Sequence, residues 1–254
     1  MPPERHSPVR KVLAWCVHTY TALGLVAAAG MAVSILDGAF RAAFVLMFIA
    51  TVIDATDGTF ARLVKVKEVL PGFDGRRLDD LVDFQTYVAL PLLLIWRAQL
   101  LAPGQEAWLL APLLASAYGF CQVAAKTDDG YFLGFPSHWN IIAFYLYVLD
   151  LAPPAALAVL LVFALLTFVP MRYLYPTNRG RLNRWTNQLG AVWAVGLVWI
   201  VLRLPDAGAE ASHADAFTFN LALVTLIFPA YYVGVSWWIT WQIVRRRRRC
   251  IPIS

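Results

Sequence analysis

Residues 41–65 read RAAFVLMFIATVIDATDGTFARLVK. A helix needs about 20 mostly apolar residues to cross a bilayer. This stretch has the length and the composition, yet it carries Asp54 and Asp57 inside the apolar run. The rest of the chain is apolar in the same way. Of its 254 residues, 60% are hydrophobic and 15% charged, with a mean hydropathy of +0.61. Ordinary soluble domains hold roughly 45–50% apolar and about 25% charged residues. A single water-soluble core cannot hide that much apolar surface, which argues against a soluble enzyme, a nucleic-acid-binding domain and a disordered chain. Eight apolar segments are expected as helices, at about 12–36, 41–65, 79–100, 106–125, 138–150, 154–174, 186–204 and 217–244. The fifth is short for a full span. The expected fold is all-α: one polytopic membrane helix bundle over residues 1–254, with about eight transmembrane helices. The first segment, at about 25 residues, exceeds the roughly 7–15 of a signal-peptide core and reads as a helix that stays.

Charge gives the orientation. With the N-terminus inside, the inner segments hold Arg5, Arg10, Lys11, Arg62, Lys65, Lys67, Arg76, Arg77, Lys126, Arg172, Arg179, Arg181, Arg184 and the run Arg245 to Arg249. The outer loops hold only Arg41, Arg97 and Arg203. An excess of Lys and Arg marks cytoplasmic loops, so both termini are expected in the cytoplasm. The same asymmetry accounts for the net charge of +5 without nucleic acid. The basic tail 245–254 reads as a topological anchor resting on anionic headgroups of membrane lipids. Cys16, Cys121 and Cys250 are scattered and form neither a disulfide framework nor a metal motif.

The informative segment is 54–83. Asp54 and Asp57 are three residues apart and share a helical face. Asp54 precedes Arg62 by eight residues, roughly 12 Å along a helix axis, so it lies below the membrane surface rather than at the bilayer centre. Asp79 and Asp83 are four apart at the start of the third span, again on one face, while Asp80 falls on another face and Asp74 in the connecting loop. A short connection makes the second and third spans antiparallel neighbours and can turn the two pairs towards each other. Even one carboxylate costs about 2.5–3.5 kcal/mol at the centre of a membrane helix, so a cluster calls for a cation. Carboxylates without His or Cys suit Mg²⁺ or Mn²⁺ rather than zinc. Two ions held by four carboxylates form the arrangement that clamps a phosphate during in-line displacement. Gly58, Ala61 and Gly75 leave room beside such a site, and Arg62 offers a cationic fork for phosphate oxygens. The same carboxylates also suit a cation- or proton-coupled transporter, and Gly with Ala also suits close helix packing.

The pattern Asp54-x-x-Asp57-Gly58-x-x-Ala61-Arg62, followed by Gly75-x-x-x-Asp79-x-x-x-Asp83, resembles the signature of the CDP-alcohol phosphotransferases. One departure is the spacer of twelve residues between Arg62 and Gly75, where most of that family has about eight. The bacterial phosphatidylcholine synthase branch is similar in having a longer spacer. The stretches VHTYTALG (17–24), DGRRLDDLVDFQTYV (74–88), AKTDDGYFLGFPSHWNIIAFYLYVL (125–149) and FVPMRYLYP (168–176) resemble that branch as well. His138 stands where its relatives carry Tyr.

The resemblance implies a bacterial inner-membrane enzyme that transfers the phosphatidyl group of CDP-diacylglycerol to choline, releasing CMP, with Mn²⁺ or Mg²⁺ required. Carried onto this chain, Asp54, Asp57, Asp79 and Asp83 would bind the metals, with Asp83 also the base for the choline hydroxyl. Arg62, Gly58, Ala61 and Gly75 would receive the CDP-diacylglycerol. The wider family commonly dimerises, so a homodimer is implied too. Choline is a quaternary ammonium recognised by aromatic faces, and the candidates are Tyr87, Tyr118, Trp139 and Tyr145. Serine, glycerol 3-phosphate or inositol phosphate are the alternative acceptors within the family. Asn140 suits either a substrate contact or a cap, and His18 either an interhelical hydrogen bond or a substrate contact. The loop 126–136 carries Gly130 and Gly134, which permit movement.

Overall fold

A computed structural model describes residues 7–122, 131–174, 181–205 and 215–249. Lys126, Gly130, Arg179 and Cys250 lie outside them, as do the side chains of Arg246 to Arg249.

Ser7 opens the first helix, α1 (Pro8–Leu36), accepting a hydrogen bond from the Arg10 backbone N–H at 3.4 Å, with Pro8 at the first helical position. The helix ends at Asp37, where Gly38 (φ +72°) turns the chain. Helix α2 (Phe40–Val64) runs back along α1 and ends at Lys65, which holds a left-handed conformation (φ 57°, ψ 48°). The long spacer then has a visible use. A one-turn helix, α3 (Val66–Val69), buries Val66 and Val69 against Ala14 and Val17 of α1.

The Asp74 carboxylate caps α4 (Gly75–Asp83) by accepting from the Arg77 N–H at 3.2 Å. A π-helical turn, Phe84–Ala89, carries the rod on into α5 (Leu90–Arg97). Its cause is in the sequence. Pro91 has no N–H to give the Tyr87 carbonyl four residues back, and its ring crowds that carbonyl. The Leu90 N–H bonds instead to the Gln85 carbonyl, five residues back. A 3₁₀ turn (Glu106–Leu109) leads into α6 (Leu110–Cys121), and α7 (Trp139–Val148) and α8 (Pro153–Leu166) follow. Then come α9 (Arg181–Arg203), α10 (Ala216–Thr225) and α11 (Ile227–Arg249), the last two joined through Leu226 in helical conformation. One feature departs from the all-helical expectation. Strand β1 (Tyr131–Leu133) pairs antiparallel with β2 (Arg172–Leu174), Tyr131 opposite Leu174.

Among the described residues, four helical rods are long and apolar enough to cross a membrane: Pro8–Leu36, Phe40–Val64, Leu182–Arg203 and Ala216–Arg245. The chain is thus a multi-pass membrane protein. The fourth, fifth and sixth expected segments form shorter apolar helices, Glu106–Cys121, Trp139–Val148 and Pro153–Leu166.

The α1–α2 interface positions the site. Along α1 the buried residues Ala14, Val17, Thr21, Gly24, Ala28, Met31 and Ile35 repeat at alternating steps of three and four, the seam of a coiled coil. Along α2 the buried set Ala43, Met47, Ala50 and Asp57 occupies one face. Membrane helices gain little from the hydrophobic effect and associate through close packing of small residues, here Ala14, Gly24 and Ala28 of α1 and Ala43 and Ala50 of α2. At Gly24 the approach to α4 is closer still, since a Cβ there would collide with Val82 Cγ1. At the other end of α1, the Arg97 Nε–H donates to the Leu36 carbonyl at 3.1 Å and ties α5 to the last turn of α1.

Candidate active site

Asp54, Asp57 and Asp79 each offer a carboxylate oxygen, and the three oxygens lie within 4.8 Å of one another. Asp57 is buried because it continues the Ala43–Met47–Ala50 face of α2; Asp54 and Asp79 are half-buried. Asp83, one turn beyond Asp79 on α4, stands outside this triad but within the field of Asp54, Asp79 and Asp57. Its Oδ1 is buried without a hydrogen-bond partner. The donor set fits a hard divalent cation, because every candidate ligand is a carboxylate oxygen and a buried oxygen of Asp83, one turn along α4, is unsatisfied. Asp74 is accounted for as the α4 cap, with its other oxygen 3.2 Å from Arg77 Nε.

Two hydroxyls not singled out in the sequence, or singled out for another reason, hold the α2 carboxylates. Thr21 of α1 donates to Asp57 Oδ2 at 2.7 Å. Tyr87, on the π turn, donates to Asp54 Oδ2 at 2.7 Å, and the His138 ring packs on it edge-on with centroids 5.5 Å apart. Beside them Tyr20 and Thr56 share a hydrogen bond of 2.8 Å between α1 and α2. In the stretch 17–24 Thr21 stands among His18, Thr19 and Tyr20, and nothing local distinguishes it; the distance to Asp57 is a property of the packed helices.

The small residues divide. Gly58 leaves space along which Arg62 lies, its Nη1 being 3.4 Å from where a Cβ would stand, while Arg62 Nη2 donates to Thr59 at 3.1 Å. Ala61 packs against the cluster of Ala14 and Val17. Gly75 begins α4 beneath His18, whose ring occupies the space of a Cβ. His18 Nε2 is buried without a hydrogen-bond partner, and its ring lies against Phe73 at 4.3 Å.

The aromatic candidates separate as well. Tyr87 joins the carboxylates. Trp139 is completely buried, and its indole N–H donates to Ser116 Oγ at 2.6 Å. Tyr145 donates to Thr225 at 3.0 Å and accepts from the Trp193 indole at 2.9 Å, which ties α7 to α9 and α10. Tyr118 is exposed, its ring against Phe168. None of these contacts joins Tyr118, Trp139 and Tyr145 to one another or to the carboxylates. Asn140, inside the first turn of α7, accepts from the Ile141 N–H at 2.9 Å, and His138 holds the cap position.

An oxygen-only carboxylate cluster between an apolar helix long enough to cross a membrane and the short polar helix α4 defines an integral membrane protein able to hold a divalent cation. No family model matches the chain. Phosphatidylcholine synthase of Pseudomonas aeruginosa is 35% identical over 235 residues, covering 91% of this chain and 94% of that protein. Phosphatidylcholine synthase of Rhizobium johnstonii is 33% identical over 88% of this chain and 94% of its own length. Its counterpart from Legionella pneumophila is 40% identical over 65% and 66% of the two chains. The chain belongs to the phosphatidylcholine synthase family and is an enzyme.

Proposed function

We propose that this enzyme transfers the phosphatidyl group of CDP-diacylglycerol to choline, giving phosphatidylcholine and CMP. The observation that carries the reading is the convergence of Asp54, Asp57 and Asp79 from two helices, with Asp83 beside them. It is the place where a diphosphate and a hydroxyl nucleophile can meet out of bulk water. The choline oxygen attacks the phosphorus that carries diacylglycerol, the bond from that phosphorus to the bridging oxygen breaks, and CMP leaves with the electron pair. Asp83 takes the hydroxyl proton, a role for which a carboxylate held near the attacking oxygen is suited. Arg62, exposed at the end of α2, receives phosphate oxygens, with Gly58 leaving the space along which it lies; Ala61 and Gly75 belong to the same proposal by family likeness. Asp54, Asp57 and Asp79, with Asp83, hold two divalent cations, Mn²⁺ or Mg²⁺, which when bound neutralise the diphosphate charge. Tyr87, the aromatic candidate that touches the carboxylates, is the nearest to a choline bound there; Tyr118 is exposed away from them, and Trp139 and Tyr145 would need their packing opened.

The wider topology belongs to the same reading. Eight crossings with both termini in the cytoplasm put the site at the cytoplasmic face of a bacterial inner membrane, where a lipid and two water-soluble compounds can all reach it. The Lys and Arg bias supports this. So does the use made of Arg97 and Arg203, two of the three outer arginines: the first caps α1, and the second lies over the Phe217 ring at 5.0 Å. A homodimer is part of the proposal by family likeness.

The test is direct. Purified protein in detergent, given CDP-diacylglycerol, labelled choline and Mn²⁺, should form labelled lipid and CMP in equal amounts, and Asp83→Asn should form neither. Labelled lipid from serine or glycerol 3-phosphate and none from choline would overturn the acceptor. CMP release with no acceptor consumed would overturn the transfer.

A further inference from the structure

The seam of α1 is apolar or small at every step except one. Thr21 interrupts it level with Asp57. A hydroxyl buried between membrane helices is unfavourable unless it is hydrogen-bonded, and the single Thr21 proton goes to Asp57 Oδ2 at 2.7 Å, with the Val17 carbonyl far less well placed at 3.4 Å. Tyr87 repeats the arrangement from the π turn. Pro91 forces the wide turn that carries Tyr87, and its hydroxyl reaches Asp54 Oδ2, also at 2.7 Å. Each carboxylate of α2 therefore receives one donor from a neighbouring element on its Oδ2. The donors come from residues 36 and 33 positions away in sequence, so the arrangement is a tertiary one. Both are themselves locked. Gly24 and Val82 interdigitate one turn beyond Thr21, and Tyr87 is buried under His138.

We propose that Thr21 and Tyr87 are positioning residues that grip Asp57 and Asp54 through their Oδ2 atoms, orient the remaining oxygens towards a shared divalent cation, and so set the affinity of the site for that ion. The inference rests on the metal reading of the carboxylates given above. Partners that orient metal-binding carboxylates matter for affinity, and losing one commonly weakens binding about 10–100-fold. The ring of Tyr87 and its hydroxyl then have separate tasks, so Tyr87→Phe removes the grip and leaves the aromatic face.

The experiment titrates Mn²⁺ into full-length protein in detergent and follows the free-ion signal by electron paramagnetic resonance, alongside phosphatidyl transfer. Thr21→Val and Tyr87→Phe should each weaken Mn²⁺ binding by about 10–100-fold, while Thr21→Ser keeps it within a few-fold of wild type. At saturating Mn²⁺ the turnover of Thr21→Val should return to within several-fold of wild type. Thermal midpoints without metal guard against misfolding and should change little in the Ser and Phe variants. Wild-type affinity in both Thr21→Val and Tyr87→Phe would overturn the grip alone, as would a Thr21→Ser variant as weak as Thr21→Val. Absence of saturable Mn²⁺ binding in the wild type, or its persistence in Asp57→Ala, would overturn the metal reading and the grip together.

Discussion

In the first part of the chain, 33% of the most apolar stretch of α1 and 33% of that of α2 is buried inside the molecule; for α9 the figure is 17%, and for the α10–α11 rod 11%. The two regions are similar in apolar content and differ in what they face. Helices α1 and α2 meet through small residues and the hydrogen-bonded hydroxyls of Thr21, Tyr20 and Thr56, and α2 holds Asp54 and Asp57 beside Asp79 of α4. The outer rods expose Trp185, Trp199, Trp237, Trp238 and Trp241 and join the rest through neutral pairs such as Trp193 with Tyr145. A helix that faces lipid needs only to be apolar and long. A helix that places a charge beneath the membrane surface needs a close-fitting partner on every side, because an unmatched polar group there has no water to turn to.

That contrast can be broken most forcefully at the carboxylates. Asp83→Asn should lower phosphatidyl transfer by about 10²–10⁴-fold, the usual worth of a general base, with the thermal midpoint retained; residual activity above a tenth would remove Asp83 from the role. Chelation comes next. Removing divalent metal should abolish transfer and Mn²⁺ should restore it, and Mn²⁺ at 100 times its dissociation constant should stabilise the wild type by about 2.7 kcal/mol in thermal unfolding but not Asp57→Ala. Equal stabilisation of both proteins would move the ion elsewhere.

Two glycines sharpen the comparison within one kind of substitution. A side chain at Gly24 collides with Val82, whereas nothing lies within 4 Å of a Cβ at Gly234 in α11. Gly24→Val should therefore cost about 1–3 kcal/mol by overpacking, seen as a shorter active half-life in detergent. Gly234→Ala should be neutral or stabilise by up to about 1 kcal/mol. Similar losses at both sites would mean that the outer rod is as tightly packed as the inner one. The smallest effect is expected from Trp193→Phe, which removes the 2.9 Å bond to Tyr145. It should lower stability by about 0.5–1.5 kcal/mol and leave transfer within about twofold, measured by unfolding and activity on the same preparation.

Much of the site was legible in advance because charge inside an apolar run is anomalous. Asp54, Asp57 and Asp79 lie in local patterns whose helical faces follow from spacing alone. The division within the carboxylates was not legible: i and i+4 put Asp79 and Asp83 on one face, yet only Asp79 enters the triad, since distance to α2 depends on how the rods cross. Thr21 was hidden among ordinary seam residues, and the reach of Tyr87 to Asp54 depends on a π turn. Pro91, four residues past Tyr87 in an apolar span, was the available signal for that turn. The pairing of β1 with β2 had no signal, because three-residue strands are too short to show a period. Tyr118, Trp139 and Tyr145 are close in sequence pattern but point into different neighbours, and an aromatic residue looks the same whether it is open to a ligand or closed by a partner.

By itself the sequence determined that the chain lives in a membrane, where its helices run, which carboxylates are out of place there, and which family pattern they form. These follow from composition and local period, which survive without any knowledge of neighbours. Only the tertiary structure decided which oxygens converge, that Thr21 and Tyr87 grip Asp57 and Asp54, that the long spacer folds into a helix packed on α1, and which aromatic rings lie at the site. Each of those is a distance between residues far apart in the chain, and such distances are set by how side chains of particular size interlock between helices.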